Sequence, residues 1–344
     1  MAHISEQKCP SCGAPLRFDP ESGKSVCDWC GMSYEIPTEQ EDAEAAEGAE
    51  GEGELTVYNC RSCGAELVTD EVSASIKCPY CGNNIVLTGK VSGGLKPDGI
   101  IPFKIDKKSL PEAVQHFYKD KQLLPRTFFS ESSIEDLAGV YVPFWLYDCT
   151  LSGPITYDAY KDVAVREGDY LVTTRNHYDV QRDFSMRFKD IPVDASTKFD
   201  DALMDSLEPF DTNGIVPFRM GYLSGFLAER FDKDSDEARA RADERMMHSA
   251  MEIAAMNGPS GYSVVTNRES GLVADPVDAR YVLLPVYTFN VNWGGKRYDF
   301  AMNGQTGKVV GEVPTDKGRS LLKRWGAFAA IFAIAMLLIT LISC

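Results

Sequence analysis

The chain has 344 residues, of which 44% are hydrophobic and 25% charged, and its formal net charge is −16. This length allows two or three domains with ordinary hydrophobic cores, and the composition excludes a chain that is disordered throughout. Eight of the acidic residues lie in one segment, residues 38–54, which contains no base. The rest of the chain therefore carries only about half of the net charge.

A cysteine pattern, Cys-x2-Cys-x14-Cys-x2-Cys, occurs twice with identical spacing in the N-terminal quarter of the chain. Each Cys-x-x-Cys turn can supply two sulfurs, and two such turns complete the tetrahedron that structural zinc prefers. The pattern predicts two small all-β zinc ribbons, each with one structural Zn²⁺, in residues 1–37 and 55–95. The predicted metal ligands are Cys9, Cys12, Cys27 and Cys30 in ribbon 1, and Cys60, Cys63, Cys78 and Cys81 in ribbon 2.

Three other interpretations of these cysteines compete with zinc. Disulfides are disfavoured because the N-terminus has no signal peptide. A disulfide between cysteines separated by only two residues would also do little to connect distant parts of the chain. The Cys78–Cys81 segment also matches a redox dithiol motif, but a second Cys-x-x-Cys lies upstream of it. Iron accepts the same four-thiolate geometry, so ligand identity leaves it open.

The two ribbons are separated by the acidic segment at residues 38–54, which is rich in Ala, Gly and Glu. Such a composition buries too little apolar surface to fold. We therefore expect a disordered, self-repelling linker that gives the ribbons reach.

Residues 96–316 are predicted to form one α+β body domain with antiparallel strands. A capping box at Ser109 predicts a helix to about Leu123, and a longer helix is expected to begin at Asp234 or Ser235 and to end before Gly258. Residues 142–151 and 284–293 are predicted strands with alternating bulky apolar residues. Their similarity indicates either a duplicated β unit or the chance likeness of two half-buried strands.

The C-terminus has a basic segment at 317–324 followed by an uncharged apolar stretch at 325–343. The length of this stretch matches the hydrocarbon core of a bilayer, which predicts one transmembrane helix. Because the bases precede the stretch, the positive-inside rule predicts a single-pass protein of the cell membrane, with its N-terminal body in the cytosol.

The sequence contains no recognisable catalytic motif. Its four histidines are scattered, and it has no P-loop, dinucleotide fingerprint or HExxH sequence. Acidic clusters near Asp200 and Glu208 are interpreted as solvated surface. We therefore predict no catalytic residues, no cofactor-binding residues, no small-molecule substrate and no enzyme. An unrecognised enzyme built around His177 or the Asp-rich loops is a third hypothesis.

Zinc ribbons often bind nucleic acid, but the charges here disfavour that role. Ribbon 1 has three bases against five acids, and ribbon 2 has Arg61, Lys77 and Lys90 against three acids. A phosphate-binding surface normally has a basic excess, because counterion release supplies most of its affinity.

Several phrases of the chain together carry a family resemblance. They are the paired CxxCG turns, GVYVPFWLYD at 139–148, IPVDAS at 191–196, LEPFD at 207–211, YLSGFLAE at 222–229 and NGQTGKVVGEVP at 303–314. In this combination the chain resembles bacterial membrane-anchored proteins with double zinc ribbons of the transcription-factor-IIB type, some of which carry primosomal-helicase labels. The resemblance implies an SPFH-type membrane partner and a phage-shock-type stress module, and it brings no catalytic residues.

These observations predict a membrane-tethered zinc-ribbon adaptor. It would recruit or scaffold a protein partner at the cytosolic face of the bilayer, in envelope stress or membrane maintenance. The alternative is a nucleic-acid-binding regulator held at the membrane.

Overall fold

The computed structural model describes residues 4–5, 8–36, 56–59, 66–69, 73–77, 84–87, 96–119, 121, 124–125, 128, 133–275, 278–316 and 325. The structure contains more strand (48%) than helix (21%). Its strands form a thirteen-stranded mixed sheet, a three-stranded sheet and a two-stranded sheet. The predicted α+β class with a transmembrane helix is therefore wrong, and the fold is mostly β.

Within the described residues, none of the helices combines the length and the apolar character needed to cross a membrane. The predicted span at 325–343 lies outside those residues, except for Trp325.

The strands of the N-terminal quarter are short. They are β1 (Ile4–Ser5), β2 (Leu16–Asp19), β3 (Lys24–Cys27), β4 (Ser33–Tyr34), β5 (Thr56–Asn59), β6 (Glu66–Thr69), β7 (Ser73–Lys77) and β8 (Asn84–Leu87). The later strands are β9 (Gly99–Ile100), β10 (Ser133–Glu167), β11 (Tyr170–Asp194), β12 (Val216–Pro217), β13 (Leu227–Glu229), β14 (Val264–Ser270), β15 (Val273–Ala274), β16 (Asp278–Trp293), β17 (Lys296–Asn303) and β18 (Val309–Gly311).

The centre of the large sheet is the antiparallel pair β10 and β16. The two similar segments predicted as strands lie in this pair and face one another, with Val142 opposite Leu284. Strand β10 is 35 residues long and β11 is 25, and the two form a hairpin that extends far beyond β16. This hairpin is the main reason that strand outweighs helix.

Three α-helices contact the large sheet: α1 (Leu110–Lys119), α2 (Asp201–Ser206) and α3 (Ser235–Met256). The prediction of α3 is confirmed, and Asp234 caps it by accepting a hydrogen bond from the Glu237 N–H. Helix α1 is shorter than predicted. The buried residues of α1 share a core cluster with Val309, whereas Met204 of α2 shares a different cluster with Val310. Val309 and Val310 are adjacent on β18 and so point to opposite faces of the sheet. Helices α1 and α2 therefore cover opposite faces.

The N-terminal strands are not separate from the body. Strand β7 pairs with β13, so that Ala228 lies opposite Ser75, and β8 then pairs with β1. The Ser75 hydroxyl is buried and donates a hydrogen bond to the Phe226 carbonyl oxygen at 2.9 Å. These strands therefore extend the large sheet of the body.

Candidate metal centre and its contact with the body

Ribbon 1 has two turns with the same backbone hydrogen bonds. In the first turn the Cys9 N–H donates to Ala14 and the Gly13 N–H donates back to Cys9; the second turn repeats this pattern from Cys27. The glycine after each turn has a positive φ, 76° at Gly13 and 72° at Gly31, which other residues rarely adopt. The Cys-x-x-Cys-Gly sequence therefore builds two matching knuckles.

The two knuckles bring four sulfurs together. The Sγ atoms of Cys9 and Cys30 are 3.5 Å apart, those of Cys12 and Cys27 are 3.6 Å apart, and all four lie within 4.8 Å of one another. Zn–S bonds of about 2.3 Å in a tetrahedron require sulfurs about 3.8 Å apart. The four cysteines could therefore hold one metal ion, as predicted for ribbon 1.

Two neighbours of the cluster were missed from the sequence. The Tyr34 hydroxyl lies 3.5 Å from the Cys9 sulfur and 2.8 Å from the Ser11 hydroxyl. Its hydrogen bond is the main cause that lowers the pKa of Cys9 to about 6. The backbone hydrogen bond at Ala14 lowers the pKa of Cys12, but burial and the other three sulfurs outweigh it and raise that pKa to about 12. The sequence signal that could have indicated the contact with Tyr34 is the position of this tyrosine four residues after Cys30.

Ion pairs connect the knuckles to the strands between them. Strands β2, β3 and β4 form the three-stranded sheet. Across it, Arg17 contacts Asp28 of the second knuckle at 2.8 Å, and Lys24 contacts Glu35 at 2.6 Å. These pairs are largely exposed, so they orient the strands more than they stabilise them.

One face of ribbon 1 is buried against the body. Phe18 is 2% exposed and lies in the same core as body residues; its ring contacts Tyr222 edge-on at 5.3 Å. Its N–H donates to the Ser224 carbonyl at 2.8 Å. Gly225, with φ of 92°, permits this approach, because a Cβ there would lie 3.1 Å from Cβ of Arg17.

The receiving surface on the body is the YLSGFLAE segment that contributes to the family resemblance. Phe226 of this segment stacks on Phe103 with ring centroids 4.1 Å apart, which joins the ribbon to the main core. At the ribbon's C-terminal end, Arg219 donates to the Ile36 carbonyl, and Ile36 is buried in the same core. Residues 222–229 therefore form the surface of the body on which ribbon 1 packs, and we call this surface the seat of ribbon 1.

Ribbon 1 also carries exposed apolar side chains at its second knuckle. Trp29, between the two cysteines of the second knuckle, is 85% exposed, and Met32 just after it is 49% exposed. The knuckle fixes the backbone on which both residues stand. Ribbon 1 thus has a buried face formed by Phe18 and Ile36 and a free face formed by Trp29 and Met32.

The four predicted ligands of ribbon 2 lie outside the described residues. The strands around them are described: β5 and β7 end at Asn59 and Lys77, each directly before a cysteine. Strand β4 in ribbon 1 and strand β8 in ribbon 2 each begin three residues after the last cysteine of their pattern. The second metal site stays a prediction.

The acidic clusters that could have marked an enzyme have structural partners. Asp200 caps α2, and Asp201 contacts Arg241 and Lys233. Glu208 contacts Arg245 at 2.8 Å. The clusters therefore connect α2 and its following loop to α3.

Two of the recognised phrases also contact each other. In the NGQTG turn, the Asn303 amide donates to the Leu207 and Pro209 carbonyls, while the Gln305 side chain exchanges two hydrogen bonds with the Asp211 backbone. Asn303 and Gln305 are both buried. The LEPFD and NGQTG phrases therefore form a structural junction.

The three histidines among the described residues are not brought together. His116 on α1, His177 on β11 and His248 on α3 are all exposed. His177 contacts the ring of Tyr160, and His248 lies 4.0 Å from Glu252. None of the three shares a site with another histidine or with the cysteine cluster.

Asp194, in the IPVDAS phrase, is the carboxyl group that sequence reasoning missed. It is 1% exposed; one oxygen accepts a hydrogen bond from the Ser196 N–H, and the other has no hydrogen-bond partner among the described residues. Burial raises the pKa of Asp194 to about 7, although Ser196 and Lys233 oppose the shift. The folded protein therefore holds this proton at pH values where the unfolded chain has lost it.

Replacing Asp194 by Asn is expected to make the fold less sensitive to pH. Because the pKa is raised in the folded state, ionisation costs stability as pH rises from about 4 to about 7, with a total near 4 kcal/mol. The stability advantage of Asp194→Asn should therefore grow by about 2 kcal/mol between about pH 5.5 and pH 8. Urea unfolding of both proteins at each pH measures it. A constant difference would contradict the assignment.

The fold and this site define a class: a mostly β protein with a four-cysteine ribbon seated on a large mixed sheet. The chain is 34% identical over 341 residues to the protein YdjG of Bacillus subtilis, which bears the description "uncharacterized". The alignment covers 97% of this chain and 98% of YdjG, so the chain belongs to the same family. No family model and no solved structure matches the chain.

Proposed function

We propose that this protein is an adaptor in which ribbon 1 binds zinc and presents Trp29 to a protein partner. The observation that carries the proposal is the 85% exposure of Trp29 on a knuckle fixed by the cysteine cluster. Exposed Trp side chains on rigid backbone lose little entropy on binding, and they are frequent anchors of protein interfaces. The activity proposed is recruitment, with no chemical turnover.

The donor set supports zinc as the metal of this site. Four thiolates with no histidine or carboxylate leave no coordination position for water, which is typical of a structural zinc site. Bound zinc would supply folding energy and no reaction chemistry. In this arrangement the metal holds the loop from Cys27 to Cys30, and so it holds the backbone that carries Trp29.

The charges of ribbon 1 favour a protein partner over nucleic acid. Among its described residues the bases are Lys8, Arg17 and Lys24, and the last two are already in ion pairs with carboxylates. A phosphate backbone would have to compete for both side chains. An apolar pocket on a protein needs no such exchange.

Trp29→Ala is expected to reduce partner binding at least tenfold without changing metal content or thermal stability. An anchor residue contributes about 2 kcal/mol or more to binding, whereas an exposed side chain contributes little to the fold. The test is affinity purification of the full chain, followed by binding measurements with the purified partner. Met256→Ala is the matched control, because Met256 is 83% exposed on α3.

Selective loss of one partner from the Trp29 variant would support the proposal. If that variant retained every partner that the wild-type chain and the Met256 variant capture, the adaptor surface would not be at Trp29. Nuclease-sensitive material in place of a protein would favour the nucleic-acid-binding alternative.

A further inference from the structure

The hairpin of β10 and β11 ends in a two-stranded arm, which we define as residues 161–176. Its strands are joined by a tight turn at Gly168 and Asp169, with Glu167 opposite Tyr170. Strand β14 pairs with β10 only as far as Tyr160, so among the described strands the arm has none on either side. Isolated two-stranded hairpins are marginally stable in water, so this arm needs a cover.

The two faces of the hairpin differ in character. On one face, the side chains of Ile155 and Tyr157 are buried in the core cluster that contains α3, and the Tyr157 hydroxyl donates to the Ala254 carbonyl. Ala159 on the same face is also buried. Side chains alternate between faces along a strand, so residues 161, 163, 165 and 167 continue this apolar face. Helix α3 ends at Met256. The same face therefore continues into the arm without a helix over it.

The uncovered part of this face is apolar at its centre. Val163 and Val165 on β10 are 42% and 54% exposed, and Val172 and Tyr170 on β11 are 42% and 76% exposed. Val172 lies directly opposite Val165. Together they form an apolar patch that no described part of the chain covers.

The other face of the arm carries polar side chains and one large apolar side chain, Leu171, which is 70% exposed and lies opposite Arg166. Asp162 forms a two-pronged ion pair with Arg175 at 2.8 Å across the strands. The Arg175 guanidinium also lies 4.1 Å from the ring centroid of Tyr160. These contacts hold the two strands together, and the four apolar side chains of the opposite face form the larger apolar surface that is left to bind a partner.

The chain's own apolar C-terminal segment begins far from the patch along the sheet. Through the pairings of β16 and β17, strand β18 lies level with residues 137–139 of β10, and Val163 is roughly 80 Å further along the strand. The 15 residues from Gly311 to residue 326 span at most about 54 Å. Another copy of the chain brings an identical apolar face, so it can cover the patch wherever the C-terminal segment lies.

The charges on the apolar face match a second copy of the chain. Lys161 and Glu167 lie on this face at either end of Val163 and Val165, and neither is in an ion pair among the described residues. If two arms pack face to face and antiparallel about a two-fold axis, each Val163 meets the partner's Val165, and each Lys161 meets the partner's Glu167. This is the self-complementarity that a symmetric dimer interface requires.

We propose that two copies of this protein dimerise through the apolar faces of their arms, packed antiparallel with paired contacts between Lys161 and Glu167. Face-to-face sheets lie about 10 Å apart, a gap that Lys and Glu side chains can bridge from opposite sides. The interface is separate from the metal site and from Trp29. It would make the adaptor bivalent, with two copies of ribbon 1 in each dimer.

A charge-reversal cycle on the full chain tests the arrangement. Lys161→Glu alone should weaken the dimer roughly tenfold, because each dimer then contains two like-charge contacts, and Glu167→Lys should do the same. The double variant should return to within about twofold of the wild-type dissociation constant, measured by sedimentation. Failure of the double variant to rescue the dimer, or a monomer at every concentration, would overturn the proposal.

A second pair of variants separates the two faces. Val165→Asp should abolish dimerisation, whereas Thr173→Asp, a matched control on the polar face, should leave it intact. Zero-length cross-linking should join Lys161 to Glu167, which are about 20 Å apart along one strand and so can react only between molecules. Self-association that persists unchanged in Lys161→Glu and Val165→Asp would place the contact elsewhere and contradict the inference.

Discussion

Removal of the metal from the intact protein is expected to open ribbon 1 while the large sheet remains folded. The ribbon has few buried apolar side chains of its own, and a structural zinc site contributes about 10 kcal/mol or more of folding energy. Hydrogen exchange should therefore become fast at the knuckle N–H groups of Cys9, Gly13, Cys27 and Gly31. Protection should persist in β10 and β16, whose backbone bonds do not involve the metal.

A single cysteine variant should give the same result without a chelator. Cys12→Ser removes one ligand of the cluster and should open both knuckles. Cys149→Ser is the matched control, because Cys149 is a buried thiol on β10 with no role in the cluster. If exchange in residues 8–36 were equally slow in the two variants, packing alone would hold ribbon 1, and the metal would not be its main support.

Phe18→Ala is expected to detach ribbon 1 from the body and to leave its metal site intact. Phe18 is buried among Phe226, Tyr222 and Leu223, and loss of a buried Phe side chain costs about 3–5 kcal/mol. Hydrogen exchange should accelerate at the Phe18 N–H, which bonds to Ser224 in the native structure. Protection at Gly13 and Gly31, inside the knuckles, should be retained.

Met32→Ala on the free face of the ribbon is the control for the Phe18 variant. Its side chain is 49% exposed, so its loss should leave both the knuckles and the seat protected. Equal effects of the two variants would mean that the Phe18 contact does not hold the ribbon. Loss of metal from Phe18→Ala would mean that seat and metal site form one cooperative unit.

The knuckles could be predicted from the sequence because their chemistry is local. Spacing sets the two turns, glycine supplies the positive φ after each, and four sulfurs follow. Helix α3 was predicted for a similar reason, since its cap at Asp234 and its stop near Gly258 lie next to it in the chain. Such features depend on neighbours within a few residues.

The fold class was missed because it depends on distant pairing. Residues 161–167 and 170–176 alternate too weakly between apolar and polar to predict a long hairpin, which forms because two strands of matching length meet at Gly168. The seat of ribbon 1 was missed for the same reason: Phe18 is a plausible core residue in isolation, but its partners at 222–226 are about 200 residues away.

The placement of the ribbon strands also changes the expected mode of action. The sequence predicted ribbons on a tether with long reach, and the linker at 38–54 lies outside the described residues. Ribbon 1 and strand β7 nevertheless contact the body at residues 219–229. We therefore infer a fixed presentation of Trp29, with a geometry set by the sheet.

The most direct test of the account is a measurement of the metal and its ligands in the purified full chain. X-ray absorption should show zinc surrounded by four sulfurs at about 2.3 Å, and Cys12→Ser should lose one zinc per chain relative to Cys149→Ser. An unchanged zinc content in the Cys12 variant, or a shell with nitrogen or oxygen ligands, would contradict a four-thiolate site in ribbon 1.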